Sequence, residues 1–161
     1  MKPSYECADS VKADFALWKE HGVKGVCMEC EDSAKVAMLS AVAHEVGLEY
    51  HAWIHAMKKA GFDSTWYTVN RFGQSSYDNP PYVERYHILD PHKKEVREYL
   101  VNLYATIASI KDVDYVQLDY IRYADAYFSK GLWERYNMIM NADYPPADQC
   151  YCDECVEDFK Q

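Results

Sequence analysis

Apolar and polar positions along this chain switch repeatedly between a helical and an extended rhythm. In residues 10–21, Val11, Phe15 and Trp18 recur on one helical face, with Asp9 or Ser10 placed as cap and Gly22 as stop. Residues 23–28 are a short apolar run of strand length. Residues 33–46 return to the helical rhythm, with Val36, Leu39, Ala43 and Val46 in phase and Gly47 as stop. In residues 48–56 the period falls to two: Leu48, Tyr50, Ala52, Ile54 and Ala56 share one face, and Glu49, His51, Trp53 and His55 share the other. The stretch from 57 to 89 is polar-aromatic and punctuated by Gly61, Gly73 and Asn79-Pro80-Pro81, and loops of that length in compact domains are usually functional. Asp90-Pro91 forms an N-cap and N1 pair for a helix presenting Val96, Leu100, Leu103, Tyr104 and Ile107. Residues 114–121 predict a third strand, in which Val116, Leu118 and Tyr120 oppose Tyr115, Gln117 and Asp119. A polar loop, a helix near 130–140, a Pro145-Pro146 break and a cysteine cluster complete the pattern.

Alternation at this spacing argues for parallel strands with crossover helices. Each strand with one apolar and one polar-aromatic face fits a barrel wall, its apolar side against a ring of helices and its polar side toward the mouth. The expectation is an α/β fold: a partial TIM (β/α)₈ barrel, about strands two to four with their helices, forming one domain over 1–161 with a Cys-rich segment at 150–155. A full barrel needs roughly 250 residues, so the chain reads as part of one. The competing reading is a small self-standing α/β domain.

Composition narrows the function classes. With 161 residues, 49% hydrophobic and 27% charged, the chain has the make-up of one ordinary globular domain. No apolar run approaches the ~20 residues of a membrane span, so a membrane is not an expected partner. The net charge of −9, from 26 acidic against 17 basic residues, repels phosphate backbones and argues against nucleic acid. Fifteen Tyr and four Trp supply rings with polar handles, suited to core filling or to stacking on sugar faces.

In a parallel barrel the functional groups stand at strand C-termini. Those ends carry Glu29 and Glu31, then His55, then Asp119, Arg122 and Tyr123. Glu29 and Glu31 also suit solvated loop positions, and His55 suits a structural hydrogen bond. Asp119 stands out as an acid on the inward face of an otherwise apolar strand, where a carboxylate is costly unless paired or used. Its plain alternative is an ion pair with Arg122. His51 and His55 lie about 13 Å apart along a strand, too far to share one ion.

The run Leu89-Asp90-Pro91, the helix opening at His92-Lys93-Lys94-Glu95-Val96-Arg97, and the segment from Asp112 to Tyr123 containing Leu118-Asp119-Tyr120-Ile121-Arg122-Tyr123 resemble the glycosyl-hydrolase-like (β/α)₈-barrel families. Ala52-Trp53-Ile54 resembles their third-strand element, and the likeness extends over roughly residues 5–160. Tyr115 and His55 depart from that pattern, which has Gly and Asn there. The resemblance implies hydrolysis of O-glycosidic bonds in an oligo- or polysaccharide, with Asp119 as nucleophile or substrate-orienting carboxylate and no cofactor needed for catalysis. Two carboxylates about 5–5.5 Å apart retain configuration, and ~6.5–9.5 Å apart invert it. Glu29 is the candidate second acid, although the general acid of such barrels belongs to their second half. Trp53, Trp66, Tyr67 and Tyr123 are candidates to stack on a pyranose, with His55, Asn70, Arg71 and Arg122 as further substrate contacts. A non-catalytic carbohydrate-binding fragment is the alternative, and open barrel edges predict self-association.

Six cysteines fall into two sequence regions: Cys7, Cys27 and Cys30, then Cys150, Cys152 and Cys155. The second region, a C-x-C-x-x-C run leading into a helix, can ligate one zinc ion with one coordination position still to fill. It is similar to the cysteine run after the fourth strand in family 42 β-galactosidases, where such thiols hold a structural zinc. Cys27, Cys30 or a residue beyond Gln161 are the candidates for the fourth ligand. Free thiols remain the alternative to a structural zinc, and a zinc-stapled interaction domain is the corresponding function.

Overall fold

A computed structural model describes residues 7–137, 139, 142 and 145–161. Helix α1 (Ala8–Glu20) buries Val11 and Phe15 and ends where Gly22 takes φ +88°, a conformation that costs glycine little. Strand β1 (Gly25–Glu29) follows. Helix α2 (Ser33–Glu45) starts at Asp32, whose side chain accepts the Lys35 N–H, and ends before Gly47 at φ +78°. Strand β2 (Glu49–His55), helix α3 (Lys94–Ala108) and strand β3 (Tyr115–Asp119) come next, then two short helices, α4 (Lys130–Trp133) and α5 (Asp153–Phe159). Of the helix expected near 130–140, only 130–133 form α4, residues 134–137 form a turn, and Met138 and Met140 lie outside the described residues. Around Pro145-Pro146, where a break was expected, residues Pro145–Ala147 form a 3-10 turn.

The chain divides into two units. Unit 1 holds the residues up to Ile54 together with Leu100–Asp119. Its parallel sheet has the order β1-β2-β3, with Gly25 opposite Glu49 and Glu29 opposite Trp53 between the first two strands. The helices supply one buried layer against it: Val11 and Phe15 from α1, Val36, Leu39, Val42 and Ala43 from α2, and Ile107 from α3 meet Val26, Leu48, Tyr50, Ala52 and Ile54. Fully burying side chains such as Phe15 and Leu39 stabilises the fold by roughly 1.5–3 kcal/mol each. The expected faces of β2 are realised, since Tyr50, Ala52 and Ile54 are buried while His51, Trp53 and His55 are half-buried. Asp114 ties β3 to its neighbours by accepting the Tyr50 N–H and a bond from His44 Nε2, both at 2.8 Å. These two bonds, His44 first, hold its carboxyl below the usual carboxylate range.

The partial TIM barrel is therefore corrected. The sheet is open and three-stranded, and the strand-helix repeats of a barrel are absent among the described residues. The physical reason is that strand alternation is blind to closure. An open two-layer sheet and a barrel wall both set an apolar face against helices and leave a more polar one opposite. Here that second face carries Cys27 against Gln117 at 3.3 Å and the His51 ring 4.5 Å from Tyr115, not the packed layers of a barrel interior.

Unit 2 holds His55–Tyr99 and Tyr120–Gln161. The long polar-aromatic stretch folds on itself through isolated antiparallel bridges, Lys58 with Ile88, Tyr67 with Leu89, Val69 with Ser75 and Asn70 with Gln149. Buried residues here include Tyr67, Ile88, Leu89 and Phe128, and also Thr68, Asn70, Ser76 and Asp90. Thr68 Oγ1 donates to Gln149 Oε1 at 2.7 Å, and Ser76 Oγ donates to the Ile88 carbonyl at 3.0 Å. Buried hydroxyls of this kind are tolerable only with such partners. No helix among the described residues is long and apolar enough to cross a membrane.

Candidate metal centre

Asp90 is the fixed point of the site. It is fully buried, and its backbone is held on both sides: its N–H donates to the Trp66 carbonyl at 2.8 Å and its own carbonyl accepts the Lys93 N–H at 3.1 Å. The His92 N–H donates to Oδ1 at 2.9 Å, which leaves Oδ2 for other partners. The expected helix start is corrected here, because α3 opens at Lys94. Asp90 instead makes a side-chain turn ahead of the helix, a usual role for Asp.

Three thiols converge on Oδ2. Cys152 Sγ lies 3.1 Å away, Cys150 Sγ 3.5 Å and Cys155 Sγ 4.0 Å. One ligand atom from each of the four residues lies within 4.8 Å of every other. A tetrahedral zinc with Zn–S of about 2.3 Å and Zn–O of about 2.1 Å has S···O edges near 3.6 Å and S···S edges near 3.8 Å. The S···O contacts of 3.1, 3.5 and 4.0 Å bracket the first of those edges. The donor set also suits the ion: thiolates favour zinc and other soft or borderline metals over calcium or magnesium. The three cysteines of the C-x-C-x-x-C run, with Asp90 as a fourth candidate ligand, thus lie close enough together to hold one metal ion.

Local structure explains the convergence. Cys150 is held against the folded stretch of unit 2, with the Val69 N–H on its sulfur at 3.4 Å and the Tyr151 N–H on the Val69 carbonyl at 2.7 Å. Cys152 is the N-cap of α5 and Cys155 lies in its first turn. Lys93 to Glu154 at 2.7 Å and His92 to Asp158 at 2.5 Å fasten the same helix to the Asp90 turn. Without a cation Cys152 and Cys155 stay protonated. Burial pushes Cys152 far above its usual range, and burial with the neighbouring Cys150 and Asp90 pushes Cys155 up to about 12. A divalent ion would replace those protons, so metal binding here releases protons and strengthens as pH rises.

The other expected residues are placed as follows. Asp119 closes β3 and accepts the Trp53 Nε1–H at 3.1 Å, and Trp53 is in register with Glu29 at the end of β1, so unit 1 brings these three together. Glu31 is exposed just beyond β1. In unit 2 the His55 ring meets Tyr120 edge-on at 5.0 Å. Tyr120 itself takes φ +52°, which is uncommon for a bulky residue, with Lys58 Nζ 4.0 Å from its ring centre. Trp66 stacks on Phe62 at 5.5 Å. Asn70 is turned inward, its Oδ1 accepting the Phe72 and Gln74 N–H groups and its Nδ2 donating to Gln74 Oε1. Arg71 pairs with Asp148 at 2.6 Å, and Arg122 pairs with Asp125 at 2.7 Å. Burial first, then the neighbouring Asp90, Cys155, Cys150 and Cys152, push the Tyr123 hydroxyl upward. Cys27 and Cys30, the expected fourth ligands, belong to unit 1, with Cys30 Sγ on the Asp32 carbonyl at 3.8 Å. All six cysteines are free thiols.

Asp90 is the ligand that sequence reasoning missed. Its place before a proline already had a local explanation, and the thiols it meets are 60 or more residues away. An acid buried with three cysteines is visible only after folding. Set against known proteins, the chain matches no family model and no curated protein.

Proposed function

We propose that this chain is a metal-stapled interaction domain in which zinc, held by Asp90, Cys150, Cys152 and Cys155, is structural. One observation carries the reading: four ligand atoms of zinc-binding type lie within 4.8 Å of one another around a fully buried carboxylate. All four positions of a tetrahedral ion would be filled by protein, as in closed structural sites. The ion joins the Asp90 turn to α5, segments far apart in the chain. Native mass spectrometry of zinc-supplemented protein tests this. One zinc per chain in the wild type, lost in Cys152→Ser, is expected; a metal-free wild type defeats the reading.

A second reading is supported by the Glu29, Trp53 and Asp119 group at the C-terminal ends of the strands. Under it, unit 1 acts on or binds a carbohydrate, as the likeness of the Asp119 segment to glycosyl-hydrolase-like families implies, without the barrel. Product release from an oligosaccharide panel, abolished by Asp119→Asn, would support hydrolysis. Binding without release would favour a carbohydrate-binding role. Self-association remains part of the proposal because β1 and β3 are the outer strands of the sheet, and light scattering that finds only monomer would remove it.

A further inference from the structure

The four ligands of the metal centre differ in access. Asp90 and Cys152 are buried, whereas Cys150 and Cys155 are partly exposed. Those two thiols line a groove of about 390 Å³ that also includes Tyr151, Val156 and Phe159. Phe159 is 93% exposed and Tyr151 44% exposed, so the groove opens to solvent beside α5. A small neutral oxidant entering it would reach Cys155 before Cys152. The resolving thiol is already in place. Cys152 and Cys155 are the N-cap and first-turn residues of one helix, and an i,i+3 step on a helix separates Cα atoms by about 5 Å. A disulfide spans Cα separations of about 4.4–6.8 Å.

We propose that this centre is a peroxide-sensitive release site, in which hydrogen peroxide converts Cys155 and Cys152 to a disulfide and the metal leaves. The proposal rests on the metal reading above. In the first step the Cys155 sulfur attacks peroxide: an S–O bond forms, the O–O bond breaks, and the departing hydroxide takes a proton to become water. In the second step the Cys152 sulfur attacks the resulting sulfenic acid: the S–S bond forms, the S–O bond breaks, and a second water leaves. Two thiolates are oxidised by two electrons in total, and one peroxide is reduced to two waters with two protons consumed. Cys150 and Asp90 then remain as the only protein ligands, too few for a closed zinc site. α5 would be left with the Lys93–Glu154 and His92–Asp158 pairs, which are at least partly exposed.

The experiment treats the zinc-loaded full chain with hydrogen peroxide, follows metal release with a chromogenic chelator, and maps disulfides by peptide mass spectrometry. Stoichiometric zinc release together with a Cys152–Cys155 bridge is expected. Cys150→Ser, which keeps both reacting thiols, should still form that bridge, and Cys155→Ser should not. Retention of zinc under peroxide, release with both thiols still reduced, or a bridge through Cys150 would overturn the proposal. A chain with no zinc at the outset would defeat the metal reading separately. In that sample the presence or absence of the Cys152–Cys155 bridge still decides the thiol step.

Discussion

In unit 1 the buried residues are almost all apolar and come from regular elements: Phe15 of α1, Leu39 of α2, Ile54 of β2 and Ile107 of α3 share one core. In unit 2 the buried set includes Lys59, Thr68, Asn70, Ser76 and Asp90, while Ser40 is the one described buried polar residue of unit 1. The contrast follows from the chain. Residues in helical or alternating phase can order an apolar layer with backbone groups satisfied by helix and ladder. The irregular stretch from 57 to 89 satisfies its backbone partly through isolated bridges and turns and partly through side chains such as Asn70 and Ser76, and each buried hydroxyl or amide is then a commitment to a particular partner. Such a region gains most from a strong local crosslink, and the Asp90–cysteine cluster is the place where one fits.

The largest effect is expected from chelation, if the proposed zinc is bound at Asp90, Cys150, Cys152 and Cys155. Structural zinc binding contributes ~10–16 kcal/mol in small zinc-dependent folds. Chelation should therefore strip hydrogen-exchange protection from the amides of Val69, Tyr151 and Val156, whose bonds lie around the cysteines. Amides of β2 should keep theirs. Uniform loss across both units would contradict the separation.

The converse test is Leu39→Ala, which leaves a cavity in the apolar layer of unit 1 and should cost about 2–5 kcal/mol in denaturant unfolding. Zinc stoichiometry should be unchanged. A variant that lost zinc as well would show that the two units are not separately held.

A smaller effect concerns pH. Asp114 has its carboxyl held below the ordinary 3.8 by His44 and the Tyr50 N–H, so the folded state favours the ionised form. That contribution is present above the unfolded value and is lost as pH falls through the lower folded one. Asp114→Asn should cost about 1 kcal/mol at neutral pH and flatten acid destabilisation below pH ~4. An unchanged acid limb would count against this bond pair.

The smallest effect is expected at the surface. Glu154, whose side chain is 58% exposed, pairs with Lys93. Glu154→Gln should change stability by only about 0.2–1 kcal/mol and leave zinc bound. Loss of zinc in that variant would mean that the pair, and not the ligand set, positions α5.

The elements of unit 1 were legible because their signals are local: Val36, Leu39 and Ala43 sit one helical turn apart, Tyr50, Ala52 and Ile54 alternate, and Gly22 and Gly47 mark stops. Sheet closure was not legible, since Tyr50 and Ile54 face helices equally in a barrel wall and an open sheet. The thiols of the candidate metal site were legible from the spacing of Cys150, Cys152 and Cys155. Asp90 was not, because its neighbour Pro91 supplied a sufficient local reason for it. The folding of 57–89 was hidden for a related reason: Thr68, Asn70 and Ser76 look like loop residues until Gln149, Gln74 and Ile88 are brought to them.

The most direct test of the account is X-ray absorption spectroscopy at the zinc edge on the zinc-loaded chain. The Asp90–Cys150–Cys152–Cys155 assignment predicts three sulfur ligands at about 2.3 Å and one oxygen at about 2.0–2.2 Å, with the oxygen shell altered in Asp90→Cys. A shell of four sulfurs, a nitrogen-containing shell, or no bound zinc would contradict it.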